Sequence, residues 1–151
     1  MIYGNKLKFL RENNELKQTQ ISKLLEMSNK SYNHFETEYT IIPIKHLNTL
    51  CNYYDVSLDY IFNFNNEIRY KHYNKEIDKT KSGIRLKEFR KEYKLTQVKL
   101  ASILNTTQSN IAEYERGKNI IATHFLYTIC KKYNISADYL LCKTDSPKYL
   151  K

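Results

Sequence analysis

The sequence predicts an all-α protein built of two tandem five-helix domains joined by a polar linker. Three observations predict it. First, the chain repeats itself. Sliding it by 79 positions lays Leu7-Lys8 on Leu86-Lys87, Arg11 on Arg90, Leu16 on Leu95, Gln18 on Gln97, Leu25 on Leu104, Glu36 on Glu115 and Ile41-Ile42 on Ile120-Ile121. The register runs on through Leu47, Thr49, Cys51, Tyr54, Ser57 and Asp59-Tyr60 onto Leu126, Thr128, Cys130, Tyr133, Ser136 and Asp138-Tyr139, with no gap over 6–62 against 85–141. So long an unbroken match marks a duplicated module, and its period is too long for a solenoid unit. Second, apolar residues within each copy recur at the three-to-four spacing of helices. Third, Ser and Thr stand just ahead of several of those runs, as helix caps.

The elements follow in order along the second copy. Leu86, Phe89, Arg90 and Tyr93 mark a first helix, after which Leu95 turns inward. Thr96 caps a second helix carrying Val98, Leu100, Ala101, Ile103 and Leu104. Asn105-Thr106 makes a short break, and Thr107 caps a third helix running to Glu115. Arg116-Gly117 ends it, because Gly accepts the left-handed conformation of a helix end. A fourth helix holds Phe125, Leu126, Ile129, Cys130 and Tyr133. Ser136 caps a last turn, with Asp138 near its positive end. In the first copy Pro43 suits the start of helix four, and Ser57 and Asp59 repeat the last cap. The expected division is 1–62 and 85–142 for the domains, 63–84 for a linker or helical extension, and 143–151 for a basic tail.

Composition narrows the function classes. The 41% apolar content suffices for a packed core, against intrinsic disorder. No apolar run approaches the roughly 20 residues of a membrane span, and none follows the N-terminal Met-Ile-Tyr-Gly-Asn-Lys, so a soluble cytoplasmic protein is expected. Cys51, Cys130 and Cys142 are odd in number and lack metal-ligand spacing, which suggests buried reduced thiols. His34, His46, His72 and His124 share no ligand spacing either. With 3 Gly, no phosphate-cradling loop and no HExxH or GxSxG pattern, an enzyme is disfavoured, and neither cofactor nor metal is expected. The net charge of +9 suits an anionic partner. It is uneven: 1–62 holds seven Lys/Arg against seven Asp/Glu, whereas 85–142 holds ten against five.

Two helices joined by a tight turn, the second docked through a narrow apolar stripe, form a helix-turn-helix. Ile111 and Tyr114 supply that stripe and leave the polar start of the helix pointing outward. In such a motif this end enters the major groove. Amides pair bidentately with adenine N6 and N7, and a hydroxyl bonds either a base edge or a phosphate. Thr107, Gln108, Ser109 and Asn110 therefore form a candidate recognition row. Glu113 follows one turn later, to accept from a cytosine amine or orient a neighbouring amide. Gln97, at a helix N-terminus, suits a phosphate, and Lys118 and Asn119 suit the same backbone.

The pattern Leu86-Lys87, Leu95-Thr96-Gln97, Leu100-Ala101, Leu104, Ile111, Tyr114-Glu115-Arg116-Gly117, Leu126, Ile129-Cys130, Ile135-Ser136 and Asp138-Tyr139-Leu140-Leu141 resembles the lambda-repressor/Cro-type (xenobiotic-response-element) helix-turn-helix family. The resemblance covers nearly all of 85–142. It implies sequence-specific binding of double-stranded DNA, usually by dimers at operators, to control transcription. It also implies base reading at Gln108, Ser109, Asn110 and Glu113 and phosphate contact at Gln97.

The first copy departs from the pattern. Lys17 replaces the helix-two cap, Ile21-Ser22 replaces Leu-Ala, and Glu38 stands where Gly117 stands. Its candidate contacts are Gln18, Ser28, Asn29, Lys30, Ser31 and His34. Charge makes the second copy the better DNA module, since phosphate neutralisation dominates affinity. Two functions are thus expected to compete. One is a transcriptional regulator, a repressor, acting as a covalent pseudo-dimer or a homodimer. Its recognition helices would sit about 34 Å apart. The other is a protein-binding module, such as an antitoxin or an antagonist of a nucleic-acid enzyme. It would use the neutral first copy or the aromatic junction of Tyr53, Tyr54, Tyr60, Phe62, Phe64, Tyr70 and Tyr73.

Overall fold

The structure is a computed structural model and describes residues 1–150. Among them ten helices follow one another: α1 (Gly4–Asn13), α2 (Gln18–Leu24), α3 (Asn29–Glu36), α4 (Ile44–Tyr54), α5 (Leu58–Ile61), α6 (Lys79–Glu92), α7 (Gln97–Leu104), α8 (Gln108–Glu115), α9 (Thr123–Tyr133) and α10 (Ala137–Leu140). Helices α7 to α10 each start 79 residues after their counterparts α2 to α5. The protein is all-α, and its one extended pairing among the described residues is an isolated bridge between Ile135 and Tyr149. No helix among them is long and apolar enough to cross a membrane.

The chain divides into two compact units, Met1–Tyr70 and Lys71 onward. In each, the third helix packs on the first two: α3 on α1 and α2, α8 on α6 and α7. Leu7, Ile21, Tyr32, Leu47 and Leu50 fill one core, and Phe89, Leu100, Ile111, Leu126 and Ile129 the other. The helix starts answer to the expected caps. Thr96, Thr107, Ser57 and Ser136 each accept a backbone N–H from three residues ahead. Lys17 lacks such a side chain; instead Gln20 reaches back, its Oε1 accepting the Lys17 N–H at 2.8 Å.

The left-handed residues repeat too. Glu15, Glu26, Glu38, Asp55 and Asn63 in the first unit correspond, 79 positions on, to Lys94, Asn105, Gly117, Asn134 and Cys142. Both first helices also carry a glycine in register, Gly4 at the start of α1 and Gly83 one turn inside α6. A Cβ on Gly4 would collide with the Glu36 carbonyl, and one on Gly83 with the Tyr114 and Glu115 carbonyls.

The segments expected as linker and tail are folded. In the first unit the chain after α5 turns back, so that the Glu67 carbonyl accepts the Ser57 hydroxyl at 3.0 Å and the Tyr70 hydroxyl donates to buried Asp59 at 2.6 Å. In the second, the Lys148 carbonyl accepts the Ser136 N–H at 2.8 Å, and the Asn134 amide donates to the Leu150 carbonyl at 2.7 Å. Lys71–Asp78 packs on this unit: the Tyr73 hydroxyl donates to Asp138 at 3.0 Å, and the Asn74 N–H to the Lys143 carbonyl at 2.7 Å. Lys79–Gly83 is already helix α6. The division after Tyr70 therefore falls inside the expected linker. It also sorts charge: Met1–Tyr70 carries eight cationic and eight anionic side chains, and the remainder seventeen and eight.

Candidate nucleic-acid interface

A buried clamp sets the direction of α8. The Arg90 guanidinium donates to both Glu115 carboxylate oxygens, at 2.6 and 2.9 Å, and to the Leu95 carbonyl at 2.9 Å. The Gln97 amide adds a third donor to Glu115 at 3.2 Å. First, second and third helices are thus tied at the C-terminal end of α8, leaving its N-terminal turn to project. The same clamp stands in the first unit. Arg11 donates to Glu36 at 2.7 and 3.1 Å and to the Leu16 carbonyl at 2.9 Å, and Gln18 donates to Glu36 at 3.1 Å. Burial pushes the Glu36 carboxyl up, but hydrogen bonds led by Arg11 outweigh it and hold the group below the usual range. Hydrogen bonding to Glu115 likewise raises Arg90.

Ile111, fully buried, and Tyr114, nearly so, form the expected inward stripe of α8. Thr107, Gln108 and Ser109 are exposed, as is Arg116 at the far end, with Ala112 and Glu113 half-buried between them. The Thr107 hydroxyl oxygen accepts the Asn110 N–H at 3.1 Å, which caps the helix and fixes the turn. Gln108 donates to the Gln97 Oε1 at 3.4 Å, so one amide steadies the other.

Five of the expected contact residues, Gln97, Asn110, Glu113, Lys118 and Asn119, face partners within the protein. Asn110 donates its amide hydrogens to the Thr106 hydroxyl at 3.0 Å and the Tyr114 hydroxyl at 3.2 Å. That occupies the donors a bidentate adenine contact needs. Asn119 donates to a Glu113 oxygen at 2.9 Å, and Lys118 lies 3.7 Å from the other. Gln97 belongs to the Glu115 clamp. Arg116 and Ala112, not picked out from the sequence, share the outward face with Ser109 and Glu113. Their helical phase relative to Ile111 would have marked them.

In the first unit Ser28 caps α3, accepting the Ser31 N–H at 3.1 Å, and Asn29, Lys30 and Ser31 are exposed. The Gln18 amide donates to Asn33 at 2.9 Å as well as to the clamp. The His34 ring lies against the ring of Tyr39, centroids 4.7 Å apart. Phe9, Tyr39 and Tyr53 are exposed where the second unit carries Glu88, Lys118 and Lys132. The aromatic junction is mostly interior: Phe62 and Tyr70 are buried, and Tyr60, Phe64 and Tyr73 are half-buried. The backfolding after α5 explains this, since it carries Phe64 and Tyr70 onto the first unit. Tyr53 alone of the seven is well exposed.

The helix-turn-helix domain family matches the chain twice, over residues 4–67 and 83–146. A stretch of 66 residues, 44% of this chain, is 39% identical to 52% of the HTH-type transcriptional regulator ImmR of Bacillus subtilis. A stretch of 54 residues, 36% of this chain, is 33% identical to 34% of the antitoxin PezA of Streptococcus pneumoniae. The match thus spans a third to a half of these relatives' length. Because the two matched regions take in most of the sequence, the chain belongs to the helix-turn-helix domain family, as two tandem copies of the lambda-repressor/Cro type.

Proposed function

We propose that the chain is a sequence-specific DNA-binding transcriptional regulator, acting as a repressor, whose second unit reads the major groove with the N-terminal turn of α8. The observation that carries this is the exposed Thr107-Gln108-Ser109 turn on the unit that holds the whole net positive charge. In this reading Gln108 pairs with adenine, and Ser109 meets a base edge or phosphate. Arg116 and Lys118 flank the row as phosphate contacts, and Thr107 and Gln97 hold its geometry. Similarity to ImmR, a transcriptional regulator by its name, supports the reading. Operator selection from a random duplex pool tests it. Selected half-sites also separate one reading unit from two, and a homodimer from a single chain. Gln108→Ala is expected to cost about 1–3 kcal/mol at one base position without unfolding the protein. Unchanged operator affinity in that variant refutes the assignment.

A second reading is a protein-binding module of the antitoxin kind, with DNA binding autoregulatory. Similarity to PezA and the exposed Phe9, Tyr39 and Tyr53 of the net-neutral first unit favour it. Phe9→Ser with Tyr39→Ser should then abolish complex formation with a toxin encoded beside this chain and leave DNA affinity intact.

A further inference from the structure

The residue ahead of each paired glycine differs between the units. In the first it is Tyr3, 1% exposed. Its hydroxyl accepts the Ile42 N–H at 2.8 Å and donates to the Thr40 carbonyl at 3.4 Å. In the second it is Ser82, which donates instead to the Leu140 carbonyl at 2.7 Å. Beside Ser82 lies a hollow lined by Leu86, Tyr114, Ile121, Leu126 and Leu140. Each of these stands 79 positions after a buried apolar residue of the first unit: Leu7, Phe35, Ile42, Leu47 and Ile61. The walls are kept and the phenol ring is missing. The Ile121 N–H registers the loss. Ile121 is 5% exposed, and none of the described residues accepts its N–H. A buried donor left without an acceptor is destabilising.

We propose that this hollow is a binding site for a small phenol. The ring takes the place that the Tyr3 ring holds in the first unit. The hydroxyl accepts the Ile121 N–H and donates to the Asn119 carbonyl, the counterparts of the two groups that Tyr3 meets. The site goes beyond the DNA-reading proposal and does not depend on it. An apolar space left by a missing side chain takes up a free molecule of matching shape. The hydroxyl fixes the chemical class, because a plain hydrocarbon would fill the space and leave the Ile121 N–H unmet. Without a ligand the hollow measures about 10 Å³, room for one water. A ring therefore enters as the lining side chains move apart, and this opening lowers the apparent affinity. The ligand then rests against Tyr114, on the inward stripe of α8.

The test is titration of the isotope-labelled full chain with p-cresol, the free form of a tyrosine side chain, and with toluene, followed through amide chemical shifts. In the wild type p-cresol should move the Ile121 resonance saturably and leave that of Ile42 in place. Toluene should bind about tenfold more weakly, since it lacks the hydroxyl. Ser82→Tyr restores the residue of the first unit and should abolish the saturable response. An Ile121 resonance that p-cresol leaves unmoved, as when the hollow takes only water, overturns the site. So does an equal response in folded Ser82→Tyr. Equal affinity for toluene and p-cresol overturns the hydroxyl contact and with it the phenol assignment. The comparison of the two ligands uses the wild type alone, so it decides the matter even if Ser82→Tyr does not fold.

Discussion

The two units share helix starts and left-handed turns, yet they hold these turns by different means. The turn after the third helix shows it best. Gly117 takes φ +75 and lies so close to α6 that a Cβ would stand 2.8 Å from the Thr80 Cα. Its counterpart Glu38 takes φ 58 with a full side chain, and its carboxylate accepts the N–H groups of Ile2 at 3.0, Tyr3 at 3.0 and Gly4 at 2.8 Å. It caps α1 from a distance, where α6 has the local cap Asp78, which accepts the Lys81 N–H at 2.9 Å. Apart from Lys94, the second unit thus uses small or amide residues for these turns. The first places charged side chains at all of them but Asn63, namely Glu15, Glu26, Glu38 and Asp55. It also buries the Tyr54 hydroxyl without a hydrogen-bond partner, and sets the buried Tyr32 against Glu36 where the second unit has Ile111. One backbone can therefore carry a basic unit and a neutral one.

The largest expected effect breaks what the units have in common. Glu115→Ala or Glu36→Ala leaves a buried guanidinium unpaired and should cost about 3–5 kcal/mol. Amide hydrogen exchange should show the lost protection in the altered unit. Acidification should act in the same place. Because the Glu36 carboxyl is held below its ordinary value, its contribution is present above the usual carboxylate range and is lost as pH falls through the lowered value. Acid titration of Glu36→Gln should show a shallower loss than wild type. Next come the turns. Gly117→Ala should destabilise the second unit by about 1–3 kcal/mol, from a left-handed Ala and the contact with Thr80. Glu38→Gly relieves strain but removes the α1 cap, so denaturant melts should show a net loss of about 1 kcal/mol. Glu26→Asn, which copies Asn105, should stabilise the first unit by about 0.5–1 kcal/mol. The smallest change is Tyr54→Phe, a gain of up to about 1 kcal/mol from removing an unpartnered hydroxyl. A loss there would show that the hydroxyl is satisfied.

Much of the fold was legible because its signals are local or repeated. Thr96, Thr107, Ser57 and Ser136 cap the helices they precede in sequence, and the 79-residue register carries each assignment from one copy to the other. The packing of 63–78 and 143–150 was not legible. Those polar stretches are held by long-range partners such as Asp59, Asp138 and Asn134. At the candidate interface, the inward stripe of Ile111 and Tyr114 could be read from spacing. The inward turn of Asn110 could not, since it depends on Thr106 and Tyr114 hydroxyls whose positions arise only once the turn has formed. The Glu113–Asn119 contact closes across the end of the helix and was hidden for the same reason. The clamp was half visible: Arg11 with Glu36 and Arg90 with Glu115 appeared as repeat matches, and the structure supplies the reason for both.

The central claim is that the second unit reads DNA through the first turn of α8. Fluorescence anisotropy on the selected operator, comparing Gln108→Ala/Ser109→Ala with Asn29→Ala/Lys30→Ala in the full chain, tests it most directly. The account predicts a large loss of operator affinity for the first pair and a small one for the second. Equal affinity for the first pair and wild type, or a greater loss from the second pair, would contradict it.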